Sequence, residues 1–459
     1  MIRHSSRVHF VGIGGAGMSA LAEVLLYQGV RVSGCDLRDS ETLRRISALG
    51  GATQVGHSPD HLASADVVVY SRAVPDENHE ISAARALGLP VLHRAELLAQ
   101  VMASGRGVAV VGTHGKTTTA AMLTHVMASA GLDPTGIIGA GIEEYGGGAR
   151  TGRGPWIVAE VDESDGSLLH VRPFAAVLTS LDATDHRDYY IAPGHLEQTF
   201  ERFLGAVPQE GFIAVCLDHA GATALARGLD RPFLTYGFDR AASVRGEIRG
   251  IRREETRTEL WIAGRPSGEM VLRVPGRHNV SNALGAIAAA VEIGVPTDAA
   301  LEALAGYRGA ARRFAIHGEA GGVLVVDDYA HNPVKIDAVL RAAREGWPDR
   351  RVIALFQPHR YSRTRTTHAE FGRAFDAADE VVVTEIYPAG EPAQPGVTAQ
   401  LIVDAVAPHR PVHFRPTTEA ALDLLEQIAS PGTIVLTLGA GDIGAAADAL
   451  LQRLSVGER

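Results

Sequence analysis

The chain has 459 residues, and at roughly 100–200 residues per domain that length predicts two to four domains. Hydrophobic residues make up 46%, charged residues 21% and aromatics 5%, a profile that excludes wholesale disorder, a collagen and a membrane bundle. The 43 Lys and Arg against 53 Asp and Glu give a net charge of −10; a chain this acidic is a poor nonspecific nucleic-acid binder, so any polyanionic ligand must be held by local groups.

The first predicted element is a strand over Val8–Ile13, running into a glycine turn and a helix. Arg3 and Arg7 ahead of the apolar run Val8–Leu26 imitate a signal peptide, but the run carries Gly12, Gly14, Gly15, Gly17 and Glu23 and reads as strand, turn and helix. Gly12, Gly14 and Gly17 satisfy G-x-G-x-x-G. Glycines at this point let a backbone approach a diphosphate, and the helix start offers unpaired N–H groups. Asp36 lies 19 residues past Gly17, after a second short strand, where a dinucleotide site would place a ribose-binding acid. A turn that only packs a helix on a sheet would show the same glycines.

Further strands are predicted at Val67–Tyr70 and, after the hinge-like Ala103-Ser104-Gly105-Arg106-Gly107, at Gly107–Val111. The latter feeds Gly112-Thr113-His114-Gly115-Lys116-Thr117-Thr118 and a helix. This loop is G-x-x-G-K-T, shorter than the usual phosphate loop, with Val110 where that pattern needs a glycine. Its mechanics still hold: backbone N–H groups form an anion nest, Lys116 reaches the β- and γ-phosphates, and the Thr117 hydroxyl can bind Mg²⁺. Lys116 and Lys335 are the only lysines in the chain, so a lysine at this spot points to a task that Arg cannot do. Two phosphate-binding loops about 100 residues apart suggest two phosphorylated ligands, one of them ATP, and hence transfer or ligation rather than hydride chemistry.

Strands at Trp156–Glu160 and Ala175–Thr179 end in acids, Glu160 to Asp165 and Asp182 to His186, as expected where a metal sits near bound phosphates, though loop acids that are merely solvated look the same. Phe212–Cys216 is the next strand. Arg245–Arg273 alternates charge in the manner of exposed antiparallel hairpins. A second hinge-like stretch, Gly306–Ala311, precedes strands at Val323–Asp327, Arg351–Phe356, Glu380–Thr384 and Thr433–Leu438. Apolar runs buried on both faces and separated by amphipathic helices predict an α/β chain of mainly parallel sheets, in three domains spanning 1–105, 106–309 and 310–459. Two cysteines, Cys35 and Cys216, exclude a disulfide framework and fit a reduced, cytoplasmic setting. No stretch reaches the ~18–20 apolar residues of a membrane helix.

These motifs, together with Gly276-Arg277-His278-Asn279-Val280-Ser281-Asn282-Ala283, Arg312-Arg313-Phe314, Asp327-Asp328-Tyr329-Ala330-His331-Asn332-Pro333, Gln357-Pro358-His359-Arg360-Tyr361-Ser362-Arg363-Thr364 and Gly439-Ala440-Gly441-Asp442-Ile443, resemble the Mur ligase family in order and over almost the whole chain. The first glycine turn and the Gln357–Thr364 run favour its alanine-adding branch. Asn332 and Arg187 depart from the family's usual residues.

The resemblance implies a Rossmann-like first domain, a P-loop ATPase-like second and a Rossmann-like third. It implies that Gly12, Gly14, Gly15, Ala16, Gly17, Met18, Ser19 and Asp36 hold a UDP group rather than NAD. Gly112, Thr113, His114, Gly115, Lys116, Thr117 and Thr118 would hold ATP, joined by Asn279, Arg313 and Asp328. Thr117, Glu160 and His186 would ligate Mg²⁺ or Mn²⁺. Glu163 is a rival acid to Glu160, with a turn cap as its alternative role. Tyr329, His331, Arg360 and Arg363 would form the amino-acid pocket, where paired guanidinium forks grip a carboxylate.

The implied reaction is ATP-dependent joining of L-alanine to the carboxylate of UDP-N-acetylmuramate through an acyl phosphate, in cytoplasmic peptidoglycan precursor synthesis. Lys116, Glu160, His186 and Arg313 would serve the chemistry, and His331, with an ordinary imidazole pKa, would take the proton of the alaninium. The alternatives are a recycling ligase that joins a whole peptide to the same nucleotide sugar and an NAD-dependent oxidoreductase built on Gly12–Gly17 and Asp36. The second leaves Lys116 without a role.

Overall fold

The computed structural model describes residues 5–182 and 189–456. The chain is α/β and builds three separate sheets. All ten predicted strands are present, with ends within two residues of expectation. The first sheet has five parallel strands in the spatial order Ala52–Val55, Arg31–Asp36, Arg7–Val11, Val67–Tyr70, Val91–His93. Strand order reverses at Arg7–Val11, so the crevice beside its carboxyl end is a topological switch point, where open α/β sheets take their ligands. The Gly12–Gly17 turn occupies that end.

The second sheet centres on Arg106–Val111, flanked by Trp156–Glu160 on one side and Ala175–Leu178 on the other, all parallel. Ile213–Cys216, Leu234–Gly237 and Val244–Arg252 extend it past Ala175–Leu178. The predicted hairpins are strands Val244–Arg252, Glu255–Ile262 and Arg265–Leu272, joined by two-residue turns. Phosphate-loop strand and acid-bearing strand are thus neighbours, which brings Glu160 beside the loop.

The third sheet runs Ala315–Ala320, Val323–Asp328, Thr433–Leu438, Arg351–Phe356, Glu380–Val383, Val412–Phe414, parallel except at its first strand. Alternate residues of its strands face two different cores. Leu324 and Val326 pack with the helix residues Ile336, Val339 and Leu340, whereas Val323 and Val325 pack with Leu422, Leu425 and Leu450. Helices cover both faces, so these strands read as unbroken apolar runs rather than as alternation. Among the described residues no helix is long and apolar enough to cross a membrane.

The chain divides into two compact units, the first holding the first sheet and most of the second, the other holding the third sheet.

Candidate active site

In the phosphate loop, Gly112 has φ +131° and Gly115 φ +84°. A Cβ on Gly112 would lie 2.3 Å from the Thr179 hydroxyl, and one on Gly115 2.4 Å from Asn282 Oδ1. Only glycine fits either position, for its backbone angles and for its lack of a side chain. Gly115 ends the loop as N-cap of the helix Lys116–Ser129, leaving first-turn N–H groups without helical partners. The neighbouring strand braces the loop. Thr113 Oγ1 lies 3.1 Å from Ser180 Oγ, His114 N donates to Ser180 Oγ at 2.7 Å, and Thr179 Oγ1 donates to the carbonyls of Val111 and His114. Thr118 is buried in the first helical turn. Sequence reasoning assigned Thr179, Ser180 and Asn282 no role.

Lys116 Nζ lies 2.6 Å from the Gly112 carbonyl and 2.8 Å from Glu163 Oε1. Glu163 is shut from solvent. It is the counter-ion of Lys116, and its carbonyl accepts from Gly166 N in the next turn. Burial would lower the Lys116 pKa, but the charges of Glu163, Asp162 and Glu160 outweigh it and hold the ammonium above its ordinary value. Thr117 Oγ1 meets both Glu160 oxygens at 2.9 Å, and Gly139 N donates to Glu160 Oε2 at 2.9 Å. These two side chains offer hard oxygen donors side by side, a chemistry that suits Mg²⁺ or Mn²⁺. His186, the third ligand expected, lies outside the described residues, as does Arg187.

In the first sheet's turn, Gly15 caps the helix Ala16–Tyr27. Asp36 Oδ2 accepts from Gly14 N at 3.0 Å, so this acid anchors the turn itself. Met18 is buried in the core, and the Ser19 hydroxyl donates to the Ala16 carbonyl at 3.0 Å. With their side chains so placed, Ala16, Gly17 and Met18 present first-turn N–H groups rather than side-chain donors.

In the unit of the third sheet, Asn279 donates to the Pro275 carbonyl at 2.7 Å, and burial beside Arg313 pushes His278 down to about 4. The Asp328 carboxylate is buried and pushed up to about 6 by that burial, against the pull of Arg313. Its two oxygens accept from Phe314 N and Ala330 N, each at 2.7 Å, so it ties the turn carrying Arg313 to the strand end carrying Tyr329. Arg312 and Arg313 both lie over the Tyr329 ring, at 5.3 and 5.4 Å from its centroid. Arg312 also donates to Asp327 and to the carbonyls of Gly439 and Gly441.

The strand ends after Asp328 and Phe356 bring Tyr329, His331 and Arg363 together, with His359 and Tyr387 added. The His331 ring lies 5.2 Å from Tyr329 and 5.8 Å from His359, and His359 stacks on Tyr387. Arg363 donates to His359 Nδ1 at 3.0 Å, and Glu391 accepts from Ser362 N at 2.9 Å and Ser362 Oγ at 2.6 Å. Arg360 is exposed, at φ +71°, and its N donates to the Tyr387 carbonyl at 2.8 Å. Asn332 caps the next helix. The expected ordinary pKa of His331 is corrected here: burial first, then Lys335 and Arg363, hold it well below the usual imidazole range. His331 Nδ1 donates to the Tyr329 carbonyl at 2.8 Å.

Residues 7–106 match the Mur ligase family catalytic domain, 110–290 the Mur ligase middle domain and 312–441 the Mur ligase glutamate ligase domain. The chain is 46% identical over 439 residues to a UDP-N-acetylmuramate–L-alanine ligase of Solidesulfovibrio magneticus, covering 95% of this chain and 96% of the relative. A ligase of the same name from Anaeromyxobacter is 45% identical, with 97% of each covered. Among solved structures, the UDP-N-acetylmuramate-alanine ligase of Thermotoga maritima aligns with TM-score 0.84 and 30% identity, over 98% of this chain and 99% of that one. A murein peptide ligase of Psychrobacter arcticus shares the fold, with TM-score 0.72 at 23% identity over 98% of this chain and 99% of that one.

Proposed function

The chain belongs to the Mur ligase family, and from that premise we propose that it joins L-alanine to the carboxylate of UDP-N-acetylmuramate with ATP, a cytoplasmic step of peptidoglycan precursor synthesis. The observation that carries this reading is near-complete alignment at 46% identity with an alanine-adding ligase. The recycling reading has weaker likenesses behind it, to murein peptide ligases at 23% identity over 98% of this chain and at 30% over 66% of it. Three functional domains, 1–105, 106–309 and 310–459, divide the work.

The Gly12–Ser19 turn and Asp36 hold the UDP end of the sugar nucleotide. Gly112–Thr118 hold ATP, with Asn279, Arg313 and Asp328 on the nucleotide. A muramoyl carboxylate oxygen attacks the γ-phosphorus in line; the bond to ADP breaks, and an acyl phosphate forms. Lys116 releases Glu163 to meet the phosphates and, with Arg313, stabilises charge on the transferred group. Thr117, Glu160 and His186 would hold Mg²⁺ or Mn²⁺, which neutralises repulsion between carboxylate and triphosphate.

Arg360 and Arg363 grip the alanine carboxylate, and Tyr329 and His331 wall the pocket. The amine attacks the acyl carbon, the carbon–oxygen bond to phosphate breaks, and inorganic phosphate leaves. His331 stays neutral at pH 7, with Nδ1–H directed to the Tyr329 carbonyl, which leaves the Nε2 lone pair to take the amine's proton. Phosphate release with ATP and UDP-N-acetylmuramate tests this reading. We expect release only when L-alanine is supplied, and a product heavier by one alanyl residue. Release driven by a peptide and not by alanine would favour the recycling ligase.

A further inference from the structure

Four elements of the first sheet's domain meet at a point no step above uses. His9 comes from strand Arg7–Val11, Cys35 from strand Arg31–Asp36, His61 from the short turn Pro59–Leu62 and Glu80 from helix His79–Ala86. One donor atom from each lies within 4.8 Å of all the others. His9, Cys35 and Glu80 are fully buried. Cys35 Sγ lies 2.8 Å from Glu80 Oε2, and His61 Nδ1 lies 2.6 Å from Glu80 Oε1. A fifth group, His57, places Nδ1 2.8 Å from Glu80 Oε2 and 3.1 Å from Cys35 Sγ.

So many ionisable groups are costly to bury unless something compensates them. Hydrogen bonding to the Glu80 carboxylate accounts for Cys35, His57 and His61. His9 is held more loosely. The Nδ1 of His9 lies 2.9 Å from Ser33 Oγ, and its Nε2, fully buried, faces Glu80 Oε1 at 3.4 Å and has no better-aligned partner among the described residues. A ring nitrogen fixed by an outer partner while the other points its lone pair inward is the usual setting of a metal-bound histidine.

We propose that His9, Cys35, His61 and Glu80 bind a zinc ion, which clamps these four elements together. Two imidazoles, a thiolate and a carboxylate form a mixed N, S and O set that suits tetrahedral Zn²⁺ and not Mg²⁺ or Ca²⁺. On binding, the Cys35 S–H bond breaks, its proton passes to solvent and the thiolate sulfur bonds the metal, with no change of oxidation state. The donors then spread from hydrogen-bond contact to ~3.3–3.8 Å apart, as bonds of about 2.0–2.3 Å require. The side chains of His57 and His61 are 14% and 13% exposed and mark the route of entry. The clamp bears on the diphosphate turn, because the Cys35 carbonyl accepts from Gly12 N at 2.9 Å and Ile13 N at 3.0 Å.

Cobalt titration of the full chain, stripped by chelator and kept reduced, tests the proposal. One equivalent of Co²⁺ should raise a thiolate-to-metal charge-transfer band, which Zn²⁺ then bleaches. The proposed catalytic site of Thr117, Glu160 and His186 has no thiolate and cannot give this band. Cys35→Ser should lose it, Cys216→Ser should keep it, and Ser33→Ala should weaken affinity by about 10–100-fold. Absence of the band in the unaltered chain, or its survival in Cys35→Ser, would overturn the proposal. If Cys35→Ser does not fold, His61→Asn decides: the charge-transfer band should persist while the ligand-field bands shift, and unshifted bands would count against His61 and the site.

Discussion

Lys116 Nζ lies 2.8 Å from Oε1 of Glu163, a carboxylate with no exposure to solvent. The lysine proposed to meet phosphate is therefore paired with a buried counter-ion. Removing one partner of such a pair leaves the other charge uncompensated, at a cost of about 3 kcal/mol. Glu163→Gln should lower the melting temperature of the nucleotide-free protein, and ATP should recover more of that loss than it adds to the unaltered protein. Lys116→Ala should reduce kcat by roughly 10²–10³-fold. Equal ATP shifts in Glu163→Gln and the parent would show that the pair does not respond to phosphate.

The adjacent Arg312 and Arg313 carry different proposed tasks. Arg312 donates to Asp327, Gly439 and Gly441, a fork that a lysine cannot reproduce. Arg312→Lys should cost about 1–3 kcal/mol of stability, read by urea unfolding. Arg313→Lys should lower kcat, as its proposed place on the nucleotide requires; an unchanged kcat would remove it from the chemistry.

Acid should unfold the protein partly through buried histidines. His278 and His359 titrate at about 4 when folded, against about 6.5 unfolded. Burial is the main cause for both, with Arg313 acting on His278 and Arg363 and Arg360 on His359. Between those values the unfolded chain binds protons that the folded chain refuses. Stability is thus complete above about pH 6.5 and falls as pH drops toward 4, by roughly 1–3 kcal/mol per histidine. His359→Gln should flatten that slope by up to one proton. An unchanged slope would place the acid sensitivity elsewhere. The depressed His331 likewise predicts no limb near pH 6.5 in its name in the kcat/KM profile for alanine.

The proposed alanine pocket rests on Arg363, whose guanidinium holds His359. Arg363→Ala should raise KM for L-alanine by about 100-fold, the scale of a lost charge-assisted carboxylate contact, and leave KM for ATP near its parent value. A rise in KM for ATP alone would move Arg363 out of the pocket.

The strands and both glycine turns were legible because their signals are local: apolar runs buried on two faces, and glycines where a side chain would collide. Lys116 and Thr117 stood out for the same reason. The partners were not legible, because the fold supplies them from far along the chain. Glu163 is 47 residues from Lys116, Ser180 is 67 from Thr113, and Gly439 is 127 from Arg312. Burial hid the rest. Nothing in the sequence sets His331 apart from a histidine of ordinary pKa, and His9, Cys35, His61 and Glu80 follow no motif spacing.

The central claim is that ATP in the Gly112–Thr118 loop activates the muramoyl carboxylate as an acyl phosphate. Labelling both oxygens of that carboxylate with heavy oxygen and analysing the inorganic phosphate by mass tests it directly. The account predicts one heavy oxygen in each phosphate released during amide formation. Amide formation that releases only unlabelled phosphate would contradict it.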